Sequence, residues 1–259
     1  MKLSVVIPAY NEGTCIEKTL RGIYETLSDH GVDHELVVIN DNSRDNTEEL
    51  LQNLQSSIPS LVYYTNKGPN GFGYAVRHGL ERFKGDCVAV MMADLSDSPE
   101  DLVKFYQIMV EEGYDCVFGS RFMKGSKVIG YPKIKLAINR LANFIVKTTF
   151  RIRYNDTTNA FKLYKREVIQ GLKPFLAPHF NLTLELPLKA IIRGFSYTVV
   201  PNSWTNRQHG KSNLKIKEMG SRYFFIMLYC LIEKYFSQGD FHKDKNQEPL
   251  KSRKADMEA

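Results

Sequence analysis

The sequence has no run of about 20 apolar residues, the length that an α-helix needs to cross a bilayer. Its first apolar stretch, residues 3–7, is only as long as a strand and stops at Pro8, so a signal peptide is not expected. The 4 cysteines stand far apart, without the close pairs of metal sites, which favours reduced thiols. We therefore expect a soluble or peripheral protein of the cytoplasm.

Two classes of nucleotide-binding protein find little support. The stretch GFGYAV at residues 71–76 begins like a dinucleotide-binding fingerprint, but it would follow the third predicted strand, and Val76 stands where that pattern has glycine or alanine. No nucleic-acid-binding module is recognisable, although the net charge is +6.

Between residues 121 and 166 there are twelve Lys or Arg and a single acid, Asp156. That segment is where we expect an anion to bind.

Short β-branched runs alternate with helical patterns in the first half of the chain, which is typical of an α/β protein with a mostly parallel sheet flanked by helices. The predicted strands are residues 3–7, 35–39, 61–64, 87–92, 115–118 and 196–200. The predicted helices are residues 14–28, 46–55, 74–83, 99–112 and 133–150. We expect a main domain over residues 1–215, an amphipathic interfacial helix over 216–236 and a disordered charged tail over 237–259.

Polar clusters come directly after three of the predicted strands, at residues 8–12, 40–45 and 94–97. Any one of them fits an ordinary strand-to-helix connection capped by Asn, Asp or Ser. Because the carboxyl ends of parallel strands meet at one edge of the sheet, the three together favour a shared polar ligand. The apolar run that ends at Asp94 therefore looks like a buried strand that delivers carboxylates to a site, and which of the acids that follow it could hold a metal ion stays open from the pattern alone.

The stretches VVIPAYNE, VINDNSRDNT, GFGYAVRHG, ADLSDSPE, GSRF, DTTNAFKLYKREV and NRQHGKS succeed one another between residue 5 and residue 212. In this order and spacing the chain resembles the inverting family 2 glycosyltransferases with the GT-A fold, over residues 3–215. The nearest resemblance is to the dolichol-phosphate mannose synthase branch and its bacterial polyprenyl-phosphate relatives. It implies metal-assisted transfer of a hexose, with inversion, from a nucleotide diphosphate sugar to a polyprenyl phosphate, at the cytoplasmic face of a membrane.

The resemblance also implies roles for individual residues. Asp94 matches the last acid of the DxD motif that holds Mg²⁺ or Mn²⁺, but Met92 stands where this branch carries the first acid. Ser96 or Asp97 could supply a second ligand beside substrate phosphates and water. Asp97 has the alternative role of serving the helix that begins at Pro99. The acceptor phosphate is expected at Arg121, Lys135 and Asn139, and the catalytic residues are expected to be Asp94, Arg121 and Arg207. The donor is expected to contact a larger set, namely Pro8, Tyr10, Glu12, Asp41, Ala93, Asp94, Arg207 and Lys211.

Alternatives to this interpretation remain open. A hydroxyl acceptor would need a general base, whereas a phosphate acceptor is already an anion; the candidate bases are Asp97, His179, Glu185 and His209. Met92 also motivates a non-catalytic nucleotide-sugar-binding subunit. The donor is either mannose with guanine, or glucose or another hexose with uracil. The apolar run at residues 223–232 either packs as core or contacts a membrane surface or a membrane-embedded partner.

Overall fold

The computed structural model describes residues 1–207 and 216–243. The strands are β1 (Leu3–Ala9), β2 (His34–Asn40), β3 (Leu61–Thr65), β4 (Cys87–Val90), β5 (Cys116–Ser120), β6 (Val128–Ile129), β7 (Lys162–Lys165), β8 (Tyr197–Pro201) and β9 (Trp204–Thr205). The helices are α1 (Ile16–Asp29), α2 (Thr47–Gln55), α3 (Phe72–Leu80), α4 (Pro99–Glu112), α5 (Lys133–Phe150), α6 (Arg166–Gly171), α7 (Leu182–Ile192) and α8 (Ile216–Phe236). Lys211, His209 and most of the predicted tail lie outside the described residues.

A seven-stranded sheet with the order β3-β2-β1-β4-β7-β5-β8 forms the centre, which confirms the predicted α/β class. The pairs β1–β2, β1–β4, β2–β3 and β5–β8 are parallel. All seven residues of β1 are buried, because a central parallel strand has helices on both faces. In the β1–β2 register Ala9 lies opposite Asn40, so these two strands end side by side.

Strand β7 was not predicted, and it runs antiparallel between β4 and β5. Its four residues begin and end with lysine, a pattern that resembles a polar loop. Lys162 is nevertheless fully buried, and its ammonium group donates hydrogen bonds to the carbonyl oxygens of Thr157, Asn159 and Thr183. The cost of burying a lysine is offset here by carbonyl dipoles, which sequence periodicity does not report.

Helices α5 and α8 each leave an apolar face in contact with solvent. On α5 the exposed apolar side chains are Ile134, Ile138, Leu141, Phe144 and Ile145. Helix α8 packs against α7 through the buried Ile226 and Cys230, while Phe224 and Phe225 are exposed on its other side. Among residues 1–207 and 216–243, no helix is long and apolar enough to cross a membrane. The four cysteines are free and buried.

Candidate functional site

The three polar clusters meet at the carboxyl-terminal edge of the sheet. The backbone N–H of Asp41 donates to the carbonyl oxygen of Ala9 at 2.8 Å, and the backbone N–H of Arg44 donates to Oδ1 of Asn11 at 2.7 Å. Each cluster contains one residue in the left-handed region, namely Asn11 at φ 54°, Asn42 at φ 58° and Leu95 at φ 61°. Strained backbone of this kind persists where the surroundings over-determine it, and it concentrates at functional sites.

Asp94 lies beside Arg207 and Glu12. The Nη2 atom of Arg207 is 2.7 Å from Oδ2 of Asp94 and 3.8 Å from Oε1 of Glu12. Oδ1 of Asp94 accepts the backbone N–H of Ser96 at 3.1 Å. Burial raises the pKa of Glu12 from 4.5 to about 6; the charges of Asp94 and Asp45 add to this rise and Arg207 opposes it. A cation is therefore favoured between these carboxylates.

The residues present fit a divalent cation with Asp94 as its carboxylate ligand. Within the part of the chain that the structure describes, no group of three or more His, Cys, Asp or Glu side chains could hold a metal. Mg²⁺, however, is commonly bound by one or two carboxylates together with substrate phosphates and water. Oδ2 of Asp94 already accepts a hydrogen bond from the guanidinium group of Arg207, so this oxygen atom interacts with a positive charge in the structure.

The two auxiliary metal candidates have structural partners of their own. Ser96 is buried, and its carbonyl oxygen accepts the backbone N–H of Thr205 at 3.0 Å. Asp97 is buried, and its Oδ2 accepts the backbone N–H of Met92 at 3.2 Å. Burial, with a further contribution from Asp94, raises the pKa of Asp97 to about 7. A carboxylate must lose its proton before it binds a cation, and the raised pKa of Asp97 opposes that loss in the ion-free protein. The role of Asp97 as a direct ligand stays a prediction.

Basic side chains approach Asp94 from the second half of the chain. Arg121 pairs with the buried Asp156 through its backbone N–H, Nε and Nη2, at 2.9, 2.8 and 2.7 Å. Lys135, on the first turn of α5, is half-buried. Burial, together with the charges of Arg121 and Arg207, lowers the pKa of Lys135, whereas Asp94 raises it. From this segment Lys135 is therefore close enough to Arg121, Arg207 and Asp94 for their charges to act on it, while Arg121 is compensated by Asp156.

Asn139 is engaged in a side-chain network. Its amide nitrogen donates to the hydroxyl of Tyr131 at 2.7 Å, and its Oδ1 accepts the hydroxyl of Thr158 at 2.6 Å. Oδ1 also accepts the amide of Asn143, at 2.9 Å. These bonds fix the Asn139 side chain against the 154–159 loop. Its contact with an acceptor phosphate remains a prediction.

The predicted nucleotide side of the site centres on Asp41. This buried carboxylate accepts the Asn66 amide and the Gly71 backbone N–H, each at 2.7 Å. Tyr10 is partly exposed beside this edge, whereas Pro8 and Ala93 are buried, and the carbonyl oxygen of Ala93 accepts the hydroxyl of Thr19. The donor contacts of these residues stay predictions.

Sequence reasoning missed several supporting residues. Nothing in the sequence indicated that Asn66 and Gly71 would donate hydrogen bonds to Asp41. The contact of Asp156 with a cation could have been predicted, because a lone acid within a basic segment is expected to form an ion pair. Gly73 has a packing role: a Cβ there would lie 2.5 Å from the carbonyl carbon of Pro178. This close backbone contact explains the glycine in the stretch that imitates a dinucleotide fingerprint.

The order of the strands, the antiparallel β7 and the strand-end site define the GT-A-like class of α/β glycosyltransferase folds. The chain has this fold in common with the solved glucosyl-3-phosphoglycerate synthase of Mycobacterium tuberculosis in complex with Mn²⁺, UDP and glucosyl-3-phosphoglycerate. The two share 21% sequence identity at a TM-score of 0.65, and the match covers 90% of this chain and 79% of that one. The same enzyme with Mg²⁺ and UDP matches with a TM-score of 0.64 and 19% identity, covering 90% and 79% of the two chains.

Residues 4–172 match the model of Glycosyl transferase family 2, and the chain belongs to that family. It is 34% identical over 221 residues to the dolichol-phosphate mannosyltransferase of Pyrococcus furiosus, a match that covers 84% of this chain and 60% of the relative. It is 28% identical over 227 residues to the glycosyltransferase AglD of Haloferax volcanii, covering 86% and 36%. These two relatives are thus much longer than the stretch that this chain matches. The polyprenol monophosphomannose synthase of Mycolicibacterium smegmatis is 28% identical over 216 residues, covering 81% of this chain and 80% of the relative.

Proposed function

We propose that this protein transfers a hexose from a nucleotide diphosphate sugar to a polyprenyl phosphate, with inversion and with the assistance of Mg²⁺ or Mn²⁺. The observation that carries the proposal is that Arg207 contacts Asp94 and that Lys135 lies within reach of the charges of Asp94, Arg207 and Arg121. The pKa of Lys135 is lowered because burial and two neighbouring cations disfavour its charge. A bound phosphate would favour the charged form of this lysine, so the cluster suits an anionic acceptor beside an anionic donor. The names of the curated mannosyltransferase relatives support the same acceptor class.

The reaction requires positioning and charge compensation rather than proton removal. An oxygen of the acceptor phosphate forms a bond to the anomeric carbon while the bond from that carbon to the diphosphate breaks on the opposite face, which inverts the anomeric configuration. A divalent cation held by Asp94 would neutralise the charge that grows on the leaving diphosphate. Arg207 would contact the diphosphate, and Lys135 with Arg121 would hold the acceptor phosphate in line.

The hydroxyl-acceptor alternative is weaker because two of its candidate bases, Glu185 and His179, have other partners, whereas His209 lies outside the described residues. The carboxylate of Glu185 is fully buried and accepts the backbone N–H groups of Leu176 and Ala177 and the ammonium group of Lys189. The ring of His179 packs edge-on against Tyr74. A phosphate acceptor makes these residues unnecessary as bases.

The exposed face of α5 supports docking on the cytoplasmic surface of a membrane, where a polyprenyl phosphate presents its head group. Leu141 and Phe144 are 60% and 62% exposed on the same helix as Lys135. Burying the exposed part of each contributes on the order of 1 kcal/mol, so placing aspartate at both should weaken vesicle binding by more than about tenfold. Val110→Asp, at a 52% exposed site on α4, is the matched control. Equal binding of all variants to phosphatidylglycerol vesicles would contradict docking through α5.

Steady-state kinetics of nucleotide release test the proposed acceptor site. Lys135→Ala should raise the KM for polyprenyl phosphate by about tenfold or more and leave the KM for the donor nearly unchanged, because one charge-assisted contact is lost only on the acceptor side. Lys133→Ala, two residues away on the exposed side of the first turn, is the control. A donor-specific effect, or turnover with a saccharide in place of the lipid, would favour the alternative acceptor.

A further inference from the structure

A single guanidinium nitrogen lies between two carboxylates from different strand ends. Nη2 of Arg207 contacts Asp94 at 2.7 Å and lies 3.8 Å from Glu12. The side chains of Asp94 and Glu12 are only 6% and 14% exposed. Two largely buried carboxylates that share one cationic group form a seat for a cation, since neither charge is well solvated without it.

The backbone that carries both carboxylates is anchored by hydrogen bonds. The N–H of Glu12 donates to the hydroxyl of Thr47 at 3.0 Å, and the N–H of Gly13 donates to Oδ2 of Asp45 at 3.0 Å, which ties the end of β1 to the start of α2. On the other side, Ser96 donates its N–H to the Asp94 carboxylate. The positions of these two residues are thus set by the fold before any ligand is bound.

We propose that Glu12 and Asp94 together form the divalent-cation seat of the donor site, and that Arg207 occupies this seat until the metal and the nucleotide diphosphate bind. The proposal rests on the metal-assisted function argued above. Glu12, which follows β1, would supply the second negative charge of the site, since Met92, which follows β4, carries none.

The balance of charge favours an exchange of cations. Asp94 and Glu12 with one guanidinium group carry a net charge of −1, whereas the two carboxylates with a divalent cation are neutral; the charge of Lys135, which also acts on Asp94, is common to both states. An arriving diphosphate offers Arg207 a bidentate anionic partner, for which a guanidinium group is well suited. Arg207 would then pass from the carboxylates to the phosphates as the metal takes its position.

Binding of Mn²⁺ to the full chain without donor or acceptor, followed by electron paramagnetic resonance of the free ion, tests the proposal directly. Glu12→Gln should weaken Mn²⁺ binding about tenfold, and Arg207→Ala should tighten it by a similar factor because the resident cation is gone. Arg207→Ala should at the same time weaken binding of the nucleoside diphosphate. Glu17→Gln, an exposed acid on α1 paired with Arg21, is the control and should change nothing.

The outcomes separate this inference from the proposed function. Mn²⁺ binding that depends on Asp94 but is unchanged in Glu12→Gln, or that is no tighter in Arg207→Ala, would overturn the shared seat and leave a metal-assisted transferase. No Mn²⁺ binding by the wild-type chain, with or without UDP or GDP, would overturn both. Glu12→Asp keeps the charge and should bind Mn²⁺ more tightly than Glu12→Gln. Circular dichroism of each variant separates a lost ligand from a lost fold.

Discussion

The ion pair between Arg121 and Asp156 gives the most quantitative stability prediction. Asp156 is fully buried and the Arg121 side chain is 8% exposed, with two side-chain hydrogen bonds and one backbone bond between them. Asp156→Asn preserves the size of the side chain but leaves a buried guanidinium without its counter-charge, which costs about 3–5 kcal/mol. Lys162 adds to the effect, because Asp156 supports the charge of that lysine against the burial that lowers its pKa to about 7.

Urea unfolding at pH 7.5, followed by circular dichroism and by the fluorescence of the single tryptophan, measures this loss. Arg121→Met and the double variant complete a double-mutant cycle. The coupling should exceed about 2 kcal/mol, because removing both charges eliminates the uncompensated guanidinium. A loss below about 1 kcal/mol for Asp156→Asn, or additive effects of the two single variants, would refute the claim that Arg121 and Asp156 form a strongly coupled buried ion pair.

Local geometry and burial give three further predictions. Leu95→Asn should raise the free energy of unfolding by about 0.5–1 kcal/mol in a urea titration, since asparagine tolerates the left-handed φ of 61° better than leucine; a destabilised variant would contradict the strain. Burial raises the pKa of Asp97 from 3.8 to about 7, so the folded state binds more protons than the unfolded state in that interval, and the free energy of unfolding falls as the pH rises through it. Asp97→Asn should flatten this pH dependence and be more stable than the wild type at pH 8 by at most about 4 kcal/mol. An unchanged pH profile of stability would contradict the prediction. Glu233→Gln should cost about 3 kcal/mol and expose α8 to limited proteolysis, because it leaves the buried Arg193 without its bidentate partner at 2.7 and 2.8 Å; an intact α8 would be unexpected.

The alternation of strands and helices in the first half of the chain was sufficient to predict the α/β class. Strand β7 escaped prediction because Lys162 is buried by pairing with carbonyl groups that only the folded chain assembles. The apolar stripe of α5 was visible in the sequence, but periodicity reports that a stripe exists and not the surface that it faces. Leu141 and Phe144 face solvent in the described chain.

The site was predictable where its residues come directly after strand ends and less so where they pair over long distances. Asp41 and Asp94 were found because the edge of a parallel sheet brings together the residues at the carboxyl ends of its strands. Asp94 and Arg207 are 113 residues apart, and their contact at 2.7 Å depends on the whole fold. The sequence placed Glu12 and Asp94 at the same sheet edge, but it could not reveal that one nitrogen of Arg207 lies near both carboxylates.

Transfer of a radiolabelled hexose to polyprenyl phosphate tests the central claim most directly. The protein would be incubated with Mn²⁺, polyprenyl phosphate and, in separate reactions, labelled GDP-mannose and UDP-glucose, and the label would be partitioned between water and organic solvent. We predict that label from one donor enters the organic phase as the inverted glycosyl phosphate, and that Asp94→Asn abolishes this transfer. Label that stays in the aqueous phase with both donors, or that moves only to a saccharide, would contradict the account.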